Sequence, residues 1–347
     1  MTPRADALSA GKLPPELLAS VLAPLTPRDG RVRVGPRVGE DAAVIDLGDR
    51  LVVAAADPIT FATDEIGHYV VAINANDIAV RGATPRWLLA TVLLPLGTTP
   101  EDVRALMADL GAACRALDID LIGGHTEVTD AVARPLVAGT MLGEVQPDRL
   151  VTTGGARPGD ALVLGGALAI EGTAVLARQA TAALRARGVP ADTIKRARTL
   201  LHTPGISVVA MARAVCDAVR PHALHDPTEG GLATALAELA AASGVGVRLA
   251  APGSLPILAE TRAVCAALGL DPLGLLASGA LLAAVAPMDV ATTMAALQGC
   301  AADGRVIGQV TEATAGLTMA EPMGTTGTTG SRALPTFPRD ELARWFE

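Results

Sequence analysis

The stretch Gly35–Leu47, which reads GPRVGEDAAVIDL, places glycines and two adjacent carboxylates directly ahead of an apolar run. A second apolar run, RLVVAAAD, follows Gly48 and Asp49, and this pattern predicts two paired strands joined by a tight turn. Glu40 and Asp41 therefore stand where a strand begins. Two interpretations are open for them: a charged turn, or one side of a metal-nucleotide site.

Composition limits the possible functions. The chain has 347 residues, of which 50% are hydrophobic, so it is long enough for two domains with their own cores. A formal net charge of -8 and only six aromatic residues argue against nucleic acid or anionic lipid as a partner. No window of about 20 residues is free of charges and turn residues, and the N-terminal stretch lacks a secretory pattern. We expect a cytoplasmic protein without membrane association.

Cysteines and histidines give no metal motif. The cysteines at positions 114, 216, 265 and 300 lie too far apart for a CxxC motif, so we expect reduced and buried thiols. Four isolated histidines show no ligand spacing and receive no role: His68, His202, His222 and His225.

The first half of the chain alternates between strand and helix patterns. After a short helical arm, the strands AAVIDL and RLVVAAAD precede a helix predicted over residues 64–81 that ends near Gly82. PRWLLATVLLPL predicts a long strand, and Thr99 with Pro100 predicts the capped start of the next helix. IDLIGG and RPLVAGTMLGEV supply two more strands. The fold class is therefore α+β, in the sense of mixed α/β.

A turn-rich passage, QPDRLVTTGGARPGDALVLGG, predicts a domain boundary near residue 148. The second half carries a helical region around 171–201, further helices, and strands at ALVLGG, GVRLA, ALLAAV and RVIGQV. GTTGTTGSRALP is low in complexity and predicts a flexible tail. The expected units are a helical arm (1–30), an N-terminal domain (31–147), a C-terminal domain (148–323) and a tail (324–347).

Acidic residues recur at strand ends and on one helix of the first half. Asp57 follows an apolar strand, but an Asp-Pro pair commonly begins a turn, so alone it is a weak signal. Asp77 lies on the apolar stripe of its helix, where an unpaired carboxylate incurs a penalty of roughly several kcal/mol unless a cation or hydrogen-bond donors satisfy it. Converging carboxylates suit Mg²⁺. A buried aspartate bonded to neighbouring backbone remains the alternative.

Two further passages combine glycines with polar side chains. LIGGHTEV, residues 121–128, places two glycines before His125, Thr126 and Glu127, where backbone N–H groups can approach an anion; an ordinary loop between strands is the alternative. HDPTEGGLATALAEL places Asp226 and Glu229 at the start of a helix, which suits an anionic group or simple helix capping. The chain contains neither GxxxxGK[ST] nor a strand followed by GxGxxG, so a Walker or Rossmann site is not supported.

Taken in order, VGEDAAVI, NDIAVRGATPRW, GGHTEV and HDPTEGGLATAL resemble the superfamily of aminoimidazole ribonucleotide (AIR) synthase, over roughly residues 11–320. This superfamily includes HypE-like, thiamine-monophosphate kinase and selenophosphate synthetase members, and the fourth passage is most similar to the HypE branch. The resemblance implies a PurM-like subunit with an N-terminal ATP-binding domain and a ferredoxin-like α/β C-terminal domain. It also implies a homodimer with ATP and Mg²⁺ bound near the dimer interface.

The same resemblance implies roles for individual residues. The implied metal ligands are Asp41, Asp57, Asp77 and Glu127. The implied nucleotide contacts are Gly39, Glu40, Asn76, Gly123, Gly124, His125 and Thr126. Asp226 and Glu229 are expected to face the reacting end.

The function that the resemblance implies is an ATP-dependent, Mg²⁺-requiring enzyme. It would activate an amide, carboxylate or phosphate oxygen by phosphorylation, with a small-molecule or protein-bound acceptor, in hydrogenase or other metalloenzyme maturation. HypE proteins end in a reactive cysteine, whereas this sequence ends PRDELARWFE. Two alternatives are therefore kept: a thiamine-monophosphate kinase type of phosphotransferase, and a nucleotide-binding partner protein without turnover.

Overall fold

Two β-sheets, each covered by helices, organise the chain. The computed structural model describes residues 8, 12–62, 64–321 and 330–346. The elements of the first half are α1 (Pro15–Leu22), β1 (Val32–Val34), β2 (Ala42–Asp46), β3 (Leu51–Ile59), α2 (Ile66–Ala79), β4 (Thr84–Pro95), α3 (Pro100–Ala116), β5 (Asp120–Thr129) and β6 (Leu136–Val145).

The first sheet has the strand order β1-β2-β3-β6-β4-β5. Its β2–β3 hairpin is antiparallel, with Asp46 opposite Leu51, as the sequence pattern predicts. β4 and β5 run parallel, which is possible because α3 provides the crossover between them. β5 is the last strand of this sheet, so its outer edge has no partner strand within the described residues.

Two helices cover one face of this sheet. α3 begins with a capping box in which the Thr99 hydroxyl accepts from the Asp102 N–H while the Asp102 carboxylate accepts from the Thr99 N–H. α2 is buried along almost its whole length and ends before Gly82, whose φ of 71° permits the chain to reverse. The predicted start and end of these helices are therefore confirmed. Burial of α2 is what carries Asp77 into the interior.

The second half forms the seven-stranded sheet β13-β12-β9-β11-β7-β10-β8, which is antiparallel except for the β12–β9 pair. Its elements are β7 (Ala161–Gly165), α4 (Ile170–Gln179), α5 (Thr181–Ala186), α6 (Ala191–Thr199), α7 (Val209–Ala218), β8 (Ala223–His225), α8 (Gly231–Ser243), β9 (Gly246–Leu249), α9 (Ala259–Leu268), β10 (Leu281–Val285), α10 (Val290–Gly299), β11 (Gly304–Thr311), β12 (Leu317–Ala320), β13 (Ser331–Ala333) and α11 (Glu341–Phe346).

One hydrophobic core continues between the two halves. It extends from the residues under α2 to those on α4, α6 and α9. Asn76 of α2 joins the halves by hydrogen bonds as well, since its Nδ2 donates to the Ile206 carbonyl at 2.9 Å and its Oδ1 accepts from the Val208 N–H at 2.8 Å. α2 therefore packs against the first sheet and is hydrogen-bonded to the second half of the chain.

Three sequence predictions require correction or restriction. The prediction of a flexible tail is wrong for the described part of 324–347, because β13 joins the second sheet and Leu342 of α11 is fully buried. GGHTEV does not follow a strand as predicted but lies within β5 itself. In the predicted arm 1–30, the described helix covers only Pro15–Leu22, and residues 1–7 and 9–11 lie outside the described residues.

The structure also bears on the thiols and on membrane association. All four cysteines are free, with Cys114 and Cys265 buried and Cys216 and Cys300 half-buried. Across 12–62, 64–321 and 330–346, no single helix has the length and apolar character needed to span a membrane; only Ala191–Thr199 and Leu201–Ala218, as a pair bent by 41°, meet the length and composition criteria together.

A glycine at the α2–α3 contact gives a test of this packing. A Cβ at Gly67 would lie 2.4 Å from the Leu110 backbone nitrogen, so the two helices would have to separate. We expect Gly67→Ala to lower the free energy of unfolding by about 1–3 kcal/mol in denaturant titrations. Gly253→Ala is the matched control, since nothing lies within 4 Å of its added Cβ. Equal stability of both variants would contradict the described packing.

Candidate functional site

Four aspartates from separate elements converge in the interior. Asp41 directly precedes β2, Asp57 lies on β3, Asp77 on α2, and Asp226 follows β8 of the second sheet. We call these four residues the acid cluster. Burial and, after it, repulsion within the cluster raise the pKa of Asp77, and burial together with the charge of Asp41 raises those of Asp57 and Asp226.

The local structure explains how each side chain reaches the cluster. α2 packs across β3, and Asn74 of α2 accepts a hydrogen bond from the Asp57 N–H at 2.9 Å and donates to its carbonyl at 3.2 Å. Asp77 lies one helical turn further along the same helix. The β2–β3 pairing, with Ala42 opposite Ala55, brings Asp41 toward the Asp57 end of β3.

The cluster has unsatisfied oxygen atoms. Asp77 is 2% exposed and Asp226 is 1% exposed. Within the described residues, Asp77 Oδ2 and both carboxylate oxygens of Asp226 have no hydrogen-bond partner. Buried carboxylate oxygens without donors are costly, so the alternative in which neighbouring backbone satisfies Asp77 does not account for that oxygen.

These oxygens fit a divalent cation. Ligand atoms of Asp41, His225 and Asp226 all lie within 4.8 Å of one another. Mg²⁺ prefers carboxylate oxygens and keeps several water molecules, so one or two carboxylates with phosphate oxygens complete its coordination. The donor set of the cluster, dominated by aspartate oxygens, meets that preference.

Burial and mutual repulsion shift the protonation of the cluster. Burial raises the pKa of Asp57 to about 6, aided by the charge of Asp41, and burial raises that of Asp226 to about 7. The pKa of Asp77 lies well above its usual range, first because of burial and then because of Asp226 and Asp57. Without a cation, the cluster therefore retains protons near neutral pH.

Arg81 is the buried cation at one side of the cluster. Its side chain is 1% exposed, and its Nη2 lies 3.4 Å from Asp41 Oδ2. Nη1 donates to the Thr153 hydroxyl at 2.7 Å, which attaches the segment after α2 to the second half of the chain. Arg81 thus fixes the orientation of Asp41.

His225 bridges Asp41 to a second carboxylate. Its Nδ1 lies 3.4 Å from Asp41 Oδ2, and its Nε2 lies 2.9 Å from Glu238 Oε2. Burial alone lowers the pKa of His225, but the charges of Asp41 and Glu238 outweigh burial and raise it. Burial likewise favours protonated Glu238, but the His225 hydrogen bond and the charge of Lys12 lower its pKa to about 2.

Glu40 has a role different from the implied nucleotide contact. Its carboxylate is 1% exposed, lies 3.1 Å from Arg81 Nη1, and accepts a hydrogen bond from Arg37 Nη2 at 2.7 Å. Gly39, at φ 83°, provides the turn that brings this carboxylate inward. Glu40 therefore holds Arg81 rather than presenting a free group. Asn76 is likewise corrected, because both its polar atoms bind backbone of the second half.

The GGHTEV residues lie away from the acid cluster. β5 and β3 are separated by β6 and β4, and with about 4.8 Å between neighbouring strands this separation is about 14 Å. His125 Nε2 pairs with Glu127 Oε2 at 3.1 Å, and both side chains are exposed, as are Gly123, Gly124 and Thr126. Within one subunit, Glu127 therefore cannot share a metal ion with Asp57.

Asp226 and Glu229 lie at the turn before α8. Gly230 and Gly231 at that turn both have positive φ. Glu229 Oε2 accepts a hydrogen bond from the Lys12 N–H at 3.2 Å, so the arm contacts this turn. Among the described residues, the N-cap residue Gly230 has no side-chain cap and both Asp226 carboxylate oxygens lack a partner, so Asp226 does not cap α8.

Comparisons with known proteins agree with this architecture. The family model for the AIR synthase related protein N-terminal domain matches residues 39–145, and the model for the C-terminal domain matches residues 157–318. The chain belongs to the AIR synthase related family. Carbamoyl dehydratase HypE of Cupriavidus necator is 33% identical over 287 residues, which are 80% of this chain and 78% of that relative. The HypE-like resemblance seen in the sequence is thus confirmed.

Solved structures share the fold of this AIR synthase related chain. The HypE–HypF complex has a TM-score of 0.72 at 22% identity and covers 92% of this chain and 99% of the matched chain. The hydrogenase maturation protein HypE in complex with ATP has a TM-score of 0.70 at 24% identity, with coverages of 96% and 98%. The predicted PurM-like α+β fold is confirmed.

Sequence reasoning missed four residues of this family member's site: Lys12, Arg81, His225 and Glu238. Arg81, His225 and Glu238 lie within quoted passages, but isolated charged residues carry no spacing signal. Glu238 lies two turns along α8 from Glu229, and Lys12 lies far away in sequence. Only the packing of the two halves reveals their proximity.

The raised pKa values predict how stability depends on pH. In unfolded chains the aspartates titrate near pH 3.9, so between about pH 4 and 7 the folded protein binds more protons than the unfolded one. Stability without a metal should therefore fall as pH rises from 5 to 8, by on the order of 2 kcal/mol in urea titrations. Asp77→Asn should weaken this dependence. A wild-type stability that stays level or rises over that range would contradict the described cluster.

Proposed function

We propose that this chain is an ATP-dependent, Mg²⁺-requiring enzyme that activates an amide, carboxylate or phosphate oxygen by phosphorylation. The observation that carries this proposal is the acid cluster, in which three buried carboxylate oxygens of Asp77 and Asp226 have no donor among the described residues. Buried carboxylates of this kind are retained where a cation or a reaction uses them.

Relatives support the choice of nucleotide and pathway. The Cupriavidus necator relative is named carbamoyl dehydratase HypE, and a protein of the same fold has been solved as a hydrogenase maturation protein in complex with ATP. We therefore place this activity in hydrogenase or another metalloenzyme maturation. The HypE–HypF complex supports a protein-bound acceptor for the present chain.

The residues of the site have different proposed roles. Asp41, Asp57, Asp77 and Asp226 would hold Mg²⁺, which supplies charge neutralisation on transferring phosphoryl groups when bound. Arg81 and His225 keep Asp41 oriented from two sides. Asp226 and Glu229, at the turn before α8, would face the acceptor.

We further propose a homodimer that completes the site. β5 is an exposed edge strand whose Leu121, Ile122 and Val128 are 43%, 53% and 51% exposed. Exposed apolar edges of this kind mark interaction surfaces. A second copy seated on this edge would cover these side chains, and the GGHTEV strands of the two copies, with Gly123 and Thr126, would line the site that the family resemblance implies at the dimer interface.

A binding experiment tests the metal-nucleotide site. We expect Asp77→Asn to weaken Mg-ATP binding by a factor of about 10 to 100 in calorimetry, because a ligand oxygen and its charge are lost. Asp217→Asn is the control, since this aspartate is exposed on α7 and pairs only with Arg213 among the described contacts. Unchanged affinity in Asp77→Asn would remove the proposed metal site.

Turnover is tested with a panel of acceptors. Wild-type protein incubated with Mg-ATP and amides, carbamoylated thiols or thiamine phosphate should release ADP with at least one compound. Asp226→Asn should abolish that release. If no compound leads to ADP release although the protein binds Mg-ATP, a nucleotide-binding partner protein without turnover would be favoured instead.

The dimer is tested by a charge on the exposed edge. We expect Ile122→Glu to convert a dimer into a monomer by light scattering and to weaken Mg-ATP binding. Met288→Glu is the control, because this methionine is 86% exposed but lies in the second half of the chain. A wild-type monomer that binds Mg-ATP would contradict an interface site.

A further inference from the structure

A lysine on the N-terminal arm reaches the acidic site. The Lys12 N–H donates to Glu229 Oε2 at 3.2 Å, and its Nζ lies 3.6 Å from Glu238 Oε1. The partial burial of its side chain lowers the pKa of Lys12, but the charges of Glu238, Asp41, Glu229 and Asp57 outweigh this effect and raise it. The arm thus brings a cation from outside the two sheets to the cluster.

Lysine is rare in this chain, in which most basic residues are arginines. The chain has 28 basic residues, and only two of them, Lys12 and Lys195, are lysines. Arginine presents a wide planar fork, whereas lysine is a compact point charge on a flexible stem. A compact ammonium suits a contact with a single phosphate oxygen, whereas a guanidinium pairs with two oxygens at once.

Lys12 is the most exposed of the three cations described beside the cluster, which are Lys12, Arg81 and His225. Its side chain is 47% exposed, whereas Arg81 is 1% and His225 is 2% exposed. Arg81 and His225 are each held by at least two partners, but the ammonium of Lys12 makes a single long ion pair with Glu238. A solvent-exposed pair of that length contributes little to stability. The Lys12 ammonium is therefore held less firmly than Arg81 or His225.

We propose that Lys12 is a catalytic residue whose ammonium group contacts the terminal phosphate of ATP and stabilises the phosphoryl group during transfer. This inference rests on the proposed function. Metal ions held by the acid cluster would compensate the carboxylates that now attract Lys12, and so release it toward the phosphate. The backbone bond to Glu229 keeps the base of the side chain at the acceptor end of the site.

The transfer needs no proton from Lys12. The bond between the terminal phosphorus and the bridging oxygen breaks, and its electron pair leaves with ADP. A lone pair of the acceptor oxygen forms the new phosphorus–oxygen bond; amide, carboxylate and phosphate oxygens supply it without first losing a proton. Lys12 stays charged and acts on the oxygens of the phosphoryl group through electrostatics.

Affinity for two nucleotides tests this contact without turnover. Lys12→Gln should weaken Mg-ATP binding about 10- to 100-fold in calorimetry while leaving Mg-ADP binding within about threefold, because only ATP carries the contacted phosphate. Lys12→Arg should recover part of the loss. Lys195→Gln, which changes an exposed lysine on α6, should bind both nucleotides as wild type does. Thermal unfolding of each variant checks that the fold is kept.

A labelling experiment uses the presence of only two lysines. An adenosine polyphosphate with a pyridoxal aldehyde on its terminal phosphate, followed by borohydride reduction, should modify Lys12 in the wild-type protein. Modification should require Mg²⁺ and be prevented by excess ATP, and Lys195 should stay at background in peptide mass spectrometry.

The outcomes separate this inference from the proposed function. If wild-type protein does not bind Mg-ATP, the proposed function fails and the Lys12 assignment falls with it. If wild-type protein binds Mg-ATP but Lys12→Gln weakens the affinity for Mg-ATP and Mg-ADP equally, or weakens neither, only the Lys12 assignment is overturned. Labelling that ATP prevents but that falls on neither lysine overturns it as well.

Discussion

The structure depends on one electrostatic constraint: four aspartates share an interior site with too little positive charge to neutralise them. Burial disfavours their charged forms, and each carboxylate disfavours the others. Arg81 and His225 offset part of this repulsion by binding Asp41 from two sides. Asp77 Oδ2 and both carboxylate oxygens of Asp226 have no hydrogen-bond partner in the described part of the chain, which is the physical basis for assigning them a cation.

The fold keeps these aspartates together because α2 is held by contacts with both halves of the chain. Asn74 binds the Asp57 backbone, and Asn76, two residues further along α2, binds the backbone of the second half. Arg81 then joins the end of α2 to Thr153. The same helix therefore carries a cluster aspartate, orients another and binds both halves, so disturbance of α2 affects stability and the site together.

Sequence patterns predicted most of the fold because local signals were strong. The Thr99 cap, the glycine after α2 and the β2–β3 turn each identify an element by local chemistry. The tail was mispredicted because the low-complexity stretch GTTGTTGSRALP precedes α11. The burial of α11 depends on residues that are distant in the sequence. The aspartates were found, partly through a family resemblance, but Lys12 and Glu238 reach the site only through tertiary packing. Spacing in the sequence carries no record of such a contact.

The acid cluster is proposed to bind the metal ions of a metal-nucleotide complex. Crystals grown with Mn²⁺ and a non-hydrolysable ATP analogue, measured at an anomalous wavelength, test it most directly. If the acid cluster holds the metal, manganese peaks should lie within about 2.3 Å of oxygens of Asp41, Asp77 or Asp226, with phosphate oxygens completing the coordination. An ordered nucleotide elsewhere, with no manganese peak beside these aspartates, would contradict it.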